Sequence, residues 1–393
     1  MDAPAAQRPD DVGTEQYDVV VVGAGVVGLA HAAEALDRGL RVLIVERDHR
    51  AVGASVRNFG HACVTAQTDR LLDFAMVSRE RWLRYADAGG FFAVDSGAVA
   101  VARSAEERAV LEELSAGREP GQVAMLGVEA VRTHLGGKAD SSVVGGAFLR
   151  DDVRVDPREA VAGLAALLTE RGARVLWGTA FLGHEPASGT GAGDGVVHTT
   201  RGRFRAARTI VCVGHDVDRL YPSIAERHGI RRCGLQMARV GAPAGRRITP
   251  AVLSGTSMLR YPAFVATDSN PALRARLAAD APELLDIDAN IMLTQRPDGT
   301  LIVGDSHRYD RTMDPFLSEQ TSDTLLDAIA RLLGAHGLQV VERWLGVYAS
   351  APEPYLVAHP EAGLTLVSVT SGVGMTISHG LAHAVWRELD GAA

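Results

Sequence analysis

An α/β architecture, α+β overall, is predicted by three features of this 393-residue chain. The run Gly23-Ala24-Gly25-Val26-Val27-Gly28 stands between an apolar segment and a helix-like stretch, and Glu46 closes the next apolar segment. Arg208 to Gly214 reads RTIVCVG, a continuous apolar segment ending in glycine, as a buried parallel strand does. From Arg231 to about Gly304 the helical spacing gives way to strand-rich segments. The first two features specify a Rossmann-type nucleotide-binding sheet, and the third a second, strand-rich unit.

Taken in order, residues 1–16 are polar, with Pro4 and Pro9, and read as a loose tail. A buried strand then runs from Tyr17 to Val22. Gly23 permits the turn, Gly25 lets the backbone approach a pyrophosphate, and Gly28 lets helix and strand pack closely. The helix Val26 to Arg38 directs its N–H groups and positive dipole end at the phosphates. After the strand Arg41 to Val45, Glu46 is placed to accept hydrogen bonds from ribose hydroxyls. Ala51 to Gly60 (AVGASVRNFG) is a loop where a nicotinamide domain would continue with helix and strand.

Helical spacing resumes over Asp69 to Ala86, and strands flank Ser96-Gly97 between Phe91 and Val101. Short helices follow at Ala105 to Ala116 and Val128 to His134. Asp156 is an N-cap and Pro157 the first residue of a helix reaching about Arg171. A strand at Arg174 to Trp177 precedes a glycine-rich hairpin at Ser188 to Gly195. In the strand-rich unit the expected strands are Gly234 to Val240, Ile287 to Gln295 and Leu301 to Val303, with a helix at Pro271 to Ala279. An amphipathic helix at Ser318 to Gly334, strands at Val340 to Ala349 and Leu364 to Val369, and a helix from Val373 to Leu389 complete the chain.

Composition narrows the function classes. With 47% hydrophobic and 22% charged residues, the chain is neither disordered nor fibrous, and its apolar runs fall short of the ~20 residues that span a bilayer. Three scattered cysteines, Cys63, Cys212 and Cys233, make neither a disulfide framework nor a zinc cluster, which points to a cytoplasmic setting. A net charge of −8 without a long basic run argues against nucleic acid. His379 and His383 have metal-compatible spacing but no third ligand, so no metal is expected. No GxSxG surrounds a serine, so hydrolase chemistry has no support.

The last strand runs into TSGVGMTISHG, placing Gly372 and Gly374 at a helix N-terminus, a second site for a polar or anionic group. A flavin has such a group beyond its pyrophosphate, in its ribityl chain and its C2 carbonyl and N1. The chain resembles the amine-oxidising FAD oxidoreductases of the D-amino-acid oxidase, glycine oxidase and sarcosine oxidase superfamily. The colinear matches are YDVVVVGAGVVGLAHAAEALDRGLRVLIVER, the GAS motif Gly53 to Ser55, VRVDP, RTIVCVGH, VERWLGVY and TSGVGMTISHG.

That resemblance implies an FAD-binding domain of the glutathione-reductase type, discontinuous in sequence (17–90, 141–229 and 336–393). An inserted, mostly antiparallel substrate domain (91–140 and 230–335) would face the isoalloxazine. It implies hydride transfer from a carbon next to nitrogen to flavin N5, with an imine that hydrolyses to aldehyde plus ammonia or amine. Cofactor contacts are expected at Gly23, Ala24, Gly25, Val26, Val27, Gly28, Glu46, Arg47, Ser55, Asn58, Phe181, Gly214, Gly372, Gly374, Met375 and Thr376.

Two departures from the superfamily pattern are informative. No cysteine follows Trp344, where covalent sarcosine oxidases carry one, and none is expected within reach of the flavin, so FAD should be non-covalent. No arginine lies near Val347 or Tyr348 to fork a carboxylate, which disfavours ordinary α-amino acids. The stretches SVRNFGHA and GDSHRYD resemble a subgroup linked to organophosphonate catabolism, whose members are proposed to oxidise aminophosphonates related to 2-aminoethylphosphonate. A phosphonate wants several donors, and Arg57, Arg260, Tyr261, Arg308 and Tyr348 are candidates. His61 and His307 are candidate bases for the ammonium proton. The electron acceptor is dioxygen, giving hydrogen peroxide, or a carrier, and the protein a monomer or homodimer without membrane partners. The alternatives are a glycine-, sarcosine- or D-amino-acid-type oxidase and a non-enzymatic flavin-binding module.

Overall fold

The computed structural model describes residues 12–187 and 195–391. The hairpin expected at Ser188 to Gly195 lies outside the described residues except for its last position, as do the first eleven residues of the expected tail. The remainder of that tail is a correction to the sequence reading. Val12–Val22 is one strand, parallel to Gly202–Val211, with Val12 opposite Arg203 and Gln16 opposite Arg205. Backbone pairing carries the strand outward past the point where apolar content ends.

Five parallel strands form the nucleotide-binding sheet, in the order Arg174–Leu176, Val42–Val45, Val12–Val22, Gly202–Val211 and Leu364–Ser371. Successive side chains alternate between its faces. Val19 and Val21 meet the helices Val26–Asp37, Asp69–Gly89, Pro157–Glu170 and Gly374–Leu389, whereas Val20 and Val22 lie in a core with Val197 and Phe204. That second face carries the antiparallel pair Phe181–Glu185 and Gly195–Thr199, which docks on the outer part of Gly202–Val211. The expected cap at Asp156 is made, its carboxylate accepting the Arg158 N–H at 2.9 Å.

The two units share one long strand, Val340–Glu361. Its first half pairs antiparallel with Arg231–Val240 and its last part with Leu364–Ser371. Beyond Arg231–Val240 the sheet continues through Leu301–Gly304, Met292–Gln295, Ala251–Leu253, Ala98–Ala102, Gly145–Leu149 and Val123–Leu126. All these pairs are antiparallel except Ala251–Leu253 with Ala98–Ala102. The helix Glu319–Leu332 packs on one side of this sheet, and Ala105–Ala116 with Asn270–Asp280 on the other.

Pairing moves two segments across the expected domain limits. Gly145–Leu149, expected with the nucleotide domain, pairs with Ala98–Ala102, and Val340 to Ser350 pairs with Arg231–Val240. The strand expected over Ile287 to Gln295 is only Met292–Gln295, because the chain leaves the helix Pro282–Asp286 and turns at Asp288, whose φ is +46°. Among the described residues no helix is long and apolar enough to cross a membrane.

Candidate active site

A cavity of 370 Å³ opens at the carboxyl ends of the parallel strands, where open α/β sheets bind ligands, and extends to the long shared strand. At its first end Gly23, Gly25, Val26 and Val27 line it, with Glu46 and Arg47 opposite. Ala24 and Gly28 lie beneath the turn, fully buried or close to it. Gly23 has φ +101°, and a Cβ built on Gly28 collides with the Gly23 carbonyl oxygen, so close packing of helix on strand excludes any side chain there.

The helix Val26–Asp37 has no side-chain cap of its own. Its Val26 N–H donates instead to Ser55 Oγ at 2.9 Å, so the GAS segment supplies an acceptor from 29 residues away. Glu46 accepts the Ala24 N–H at 2.8 Å and the Asp48 N–H at 3.0 Å, fixing its carboxylate at the strand end while it faces the cavity. Arg47 pairs with Asp216 at 2.5 Å. Asp216 also receives Arg232, and although burial opposes its charge, His215, Arg47 and Arg232 hold its carboxyl below the ordinary value. Phe181 and Gly214 line the same end.

Asn58 lines the cavity and orders its own loop, donating to the carbonyls of Ala54 and Ser55 and accepting the Gly60 N–H at 2.7 Å. Gly372, Gly374 and Met375 line the far wall. Thr376 is buried, and its hydroxyl accepts the Cys63 N–H at 3.1 Å rather than facing the cavity. The sequence expectation that no cysteine comes near is corrected by Cys212, which lines the cavity beside Gly23. Burial pushes its thiol well above the usual range, which makes it a poor nucleophile.

Arg57, Leu235, Gly346 and Tyr348 form the other end. Arg57 donates to the Leu345 carbonyl at 3.1 Å, and among the described residues no carboxylate pairs with it. Tyr348 stands on the long strand opposite Cys233, its ring 3.1 Å from where a Gly372 Cβ would lie.

Four expected site residues are placed differently. His61 is no base for this cavity: it is buried, with Nε2 2.8 Å from Asp152 and Nδ1 3.1 Å from Cys63. Burial disfavours its charge, yet Cys63 and Asp152 outweigh this and push the imidazole up to about 10, so it already carries its proton. Arg308 lies on the surface strand Arg308–Asp310, its side chain 66% exposed and 3.8 Å from Asp314. Arg260 is committed to Asp288 at 3.0 Å and to Tyr309 at 3.4 Å. Tyr261 donates to Met292 Sδ at 3.2 Å between the two cores.

His307 is retained near the site. Its ring meets that of Tyr348 edge-on at 6.4 Å, and Nδ1 lies 2.9 Å from the Asp288 carbonyl. Burial and Arg260 lower its basicity, so it is neutral. His379 packs between Trp82 and Tyr85, and His383 Nδ1 lies 3.3 Å from Glu34, so their shared helical spacing serves packing and a hydrogen bond.

Sequence reasoning missed Asp48, Thr179, Asp216, Leu235 and Gly346 in the cavity wall. Asp216, two residues after the recognised Gly214, was within reach of motif reading. Leu235 and Gly346 arrive through strand pairing, which leaves no local signal.

The family described as DAO, FAD dependent oxidoreductase, matches residues 18–387. Among solved structures, glycine oxidase from Geobacillus kaustophilus is 20% identical with a TM-score of 0.75, covering 97% of this chain and 96% of its own. L-proline dehydrogenase from P. horikoshii is 19% identical with a TM-score of 0.76, covering 95% and 93%. L-α-glycerophosphate oxidase from Mycoplasma pneumoniae, solved with FAD bound, is 18% identical with a TM-score of 0.75, covering 96% and 95%. At these identities the likeness is one of fold. Glycerol-3-phosphate dehydrogenase 2 of Mycobacterium tuberculosis (strain ATCC 25618 / H37Rv) is 53% identical over 47 residues, which is 12% of this chain and 8% of that protein.

Proposed function

We infer a function from one premise: this chain belongs to the FAD-dependent oxidoreductase (DAO) family. FAD is the cofactor; when bound it supplies a two-electron acceptor for hydride. The glycine backbone from Gly23 to Val27, the Glu46 carboxylate and the Gly372 to Met375 turn suit its pyrophosphate, ribose and ring ends. The reaction we propose is oxidation of the C–N bond of a small amine bearing an anionic group, with an aminophosphonate related to 2-aminoethylphosphonate as the favoured substrate. Products are an imine, then an aldehyde with ammonia or amine, and the electrons pass to dioxygen or a carrier.

One observation carries the substrate reading. Among the described residues Arg57 reaches the cavity without a carboxylate partner, and Tyr348 lines the same end at the position where carboxylate-binding relatives are expected to hold an arginine. An anion with more than one acceptor edge fits a guanidinium and a phenol converging from a loop and a strand better than it fits a single fork. Non-covalent FAD agrees with the inert Cys212, and a cytoplasmic monomer or homodimer is proposed with it.

The test is the anaerobic absorbance spectrum of purified protein with 2-aminoethylphosphonate, its N-methyl and 1-hydroxy relatives, glycine, sarcosine and glycerol 3-phosphate in turn. Bleaching of the oxidised-flavin band by the phosphonates alone is expected. Bleaching by glycine or sarcosine alone would make this an amino-acid oxidase, and by glycerol 3-phosphate alone would overturn C–N oxidation.

A further inference from the structure

The motif VERWLGVY supplies Gly346 and Tyr348 to the cavity wall and leaves its tryptophan unexplained. Trp344, Gly346 and Tyr348 stand on one face of the shared strand Val340–Glu361, because successive side chains alternate. Trp344 is not part of the cavity wall. Its indole Nε1 instead donates to the Arg57 carbonyl at 3.1 Å, a contact between residues 287 apart in sequence.

Arg57 is tied to that strand by its backbone and by its side chain. Its Nη1 donates to the carbonyl of Leu345, the residue after Trp344, at 3.1 Å. Its own carbonyl oxygen lies 3.2 Å from where a Gly346 Cβ would stand, so the missing side chain there lets the loop settle on the strand. The short turn Ala54–Val56 ends at Arg57, whose N–H donates to the Ala54 carbonyl at 3.1 Å. That bond sets where the residue begins and not where its side chain points.

The indole is fixed in turn. Arg158, on the helix Pro157–Glu170, lies over it with its guanidinium carbon 4.9 Å from the ring centroid. Glu342, on the same face of the strand, holds Arg158 at 2.7 Å and Arg239 at 2.8 Å. The ring is therefore held with its N–H aimed at Arg57. A long side chain on a loop loses rotamer freedom when it binds, and one already pinned loses less. The Leu345 carbonyl carries no net charge, so it orients the guanidinium without neutralising it.

We propose that Trp344 is a positioning residue for the anionic group of the substrate, acting through Arg57. This rests on the anionic-amine reading above. The indole N–H pins the Arg57 backbone, the Leu345 carbonyl directs the guanidinium, and the remaining guanidinium N–H groups meet the anion. Trp344 itself touches neither substrate nor cofactor.

The experiment uses isothermal titration calorimetry on FAD-loaded protein with two probes: ethylphosphonate, an anion without an amine, and propylamine, an amine without an anion. The variants are Trp344→Phe, Arg57→Ala and the two combined; phenylalanine keeps a ring beneath Arg158 and removes the N–H. Trp344→Phe should weaken ethylphosphonate about 10-fold, the scale of one hydrogen bond, and leave propylamine within about twofold. The double variant should bind ethylphosphonate no more weakly than Arg57→Ala, because the indole acts through that residue. A tryptophan with a merely structural role would weaken both probes alike. Unchanged ethylphosphonate binding in Trp344→Phe, equal weakening of both probes, or additive losses in the double variant would overturn the proposal. Should Trp344→Phe fail to hold FAD, Gly346→Ala, whose Cβ presses on the same Arg57 carbonyl, takes its place with the same expectations. Ethylphosphonate that does not bind wild type, or binds Arg57→Ala equally well, would instead overturn the anionic-amine reading itself.

Discussion

The two ends of the cavity are built by different means. The nucleotide end is mostly backbone and one carboxylate: Gly23 to Val27, Glu46, and the Gly372 to Met375 turn, each contiguous in sequence. The proposed amine end is assembled from side chains on separate elements, with Arg57 from a loop, Leu235 and Tyr348 from paired strands, and His307 and Asp305 behind them. A backbone-built site tolerates almost no change in residue type but needs few residues. A side-chain-built site can be re-equipped for a new substrate without disturbing the sheet that carries it.

The contrast is broken most severely at Gly28. In Gly28→Ala the new Cβ meets the Gly23 carbonyl oxygen, so the turn must shift. A cost of about 3 kcal/mol, at the upper end for overpacking, is expected, together with loss of bound FAD, read from the flavin-to-protein absorbance ratio after gel filtration. FAD retained at the wild-type ratio would show that the turn is softer than its packing implies.

Arg57→Ala sharpens the contrast from the other end. Removing a charged donor should lower kcat/KM for the anionic amine about 10- to 100-fold, while the flavin content stays as in wild type. Equal losses with a neutral amine of the same length would show that Arg57 does not read the anion.

A smaller effect separates the two histidines that sequence reading treated alike. His61 is raised to about 10 in the folded protein, so its contribution to stability is complete below its ordinary value near 6.5 and is lost as pH rises through 10. Tm should therefore fall between pH 7 and 10 more steeply in wild type than in His61→Asn, by differential scanning fluorimetry. Flavin reduction by amine should survive that substitution, since the imidazole faces Asp152 and Cys63 rather than the cavity.

Both histidines occur in motifs, SVRNFGHA and GDSHRYD, and neither motif says what the imidazole touches. His61 meets Asp152, 91 residues later, and Cys63, whereas His307 meets the Asp288 carbonyl and Tyr348. Opposite protonation states result, because Cys63 and Asp152 raise His61 against its burial whereas burial and Arg260 lower His307. Arg260 and Arg308 show the same limit, one neutralised by Asp288 and the other turned to the surface.

By itself the sequence determined the nucleotide-binding half: the strand, turn and helix from Val19 to Asp37, Glu46 after the second strand, and the final turn and helix. Those features rest on local rules, since glycine conformation, apolar periodicity and helix ends act over a few residues. Only the tertiary structure decided which strands share the long segment Val340–Glu361, and hence which side chains stand at the amine end. It also decided whether each buried imidazole or guanidinium there is charged, paired or free. Strand pairing and electrostatic partners are set by neighbours tens to hundreds of residues apart, and no local pattern encodes them.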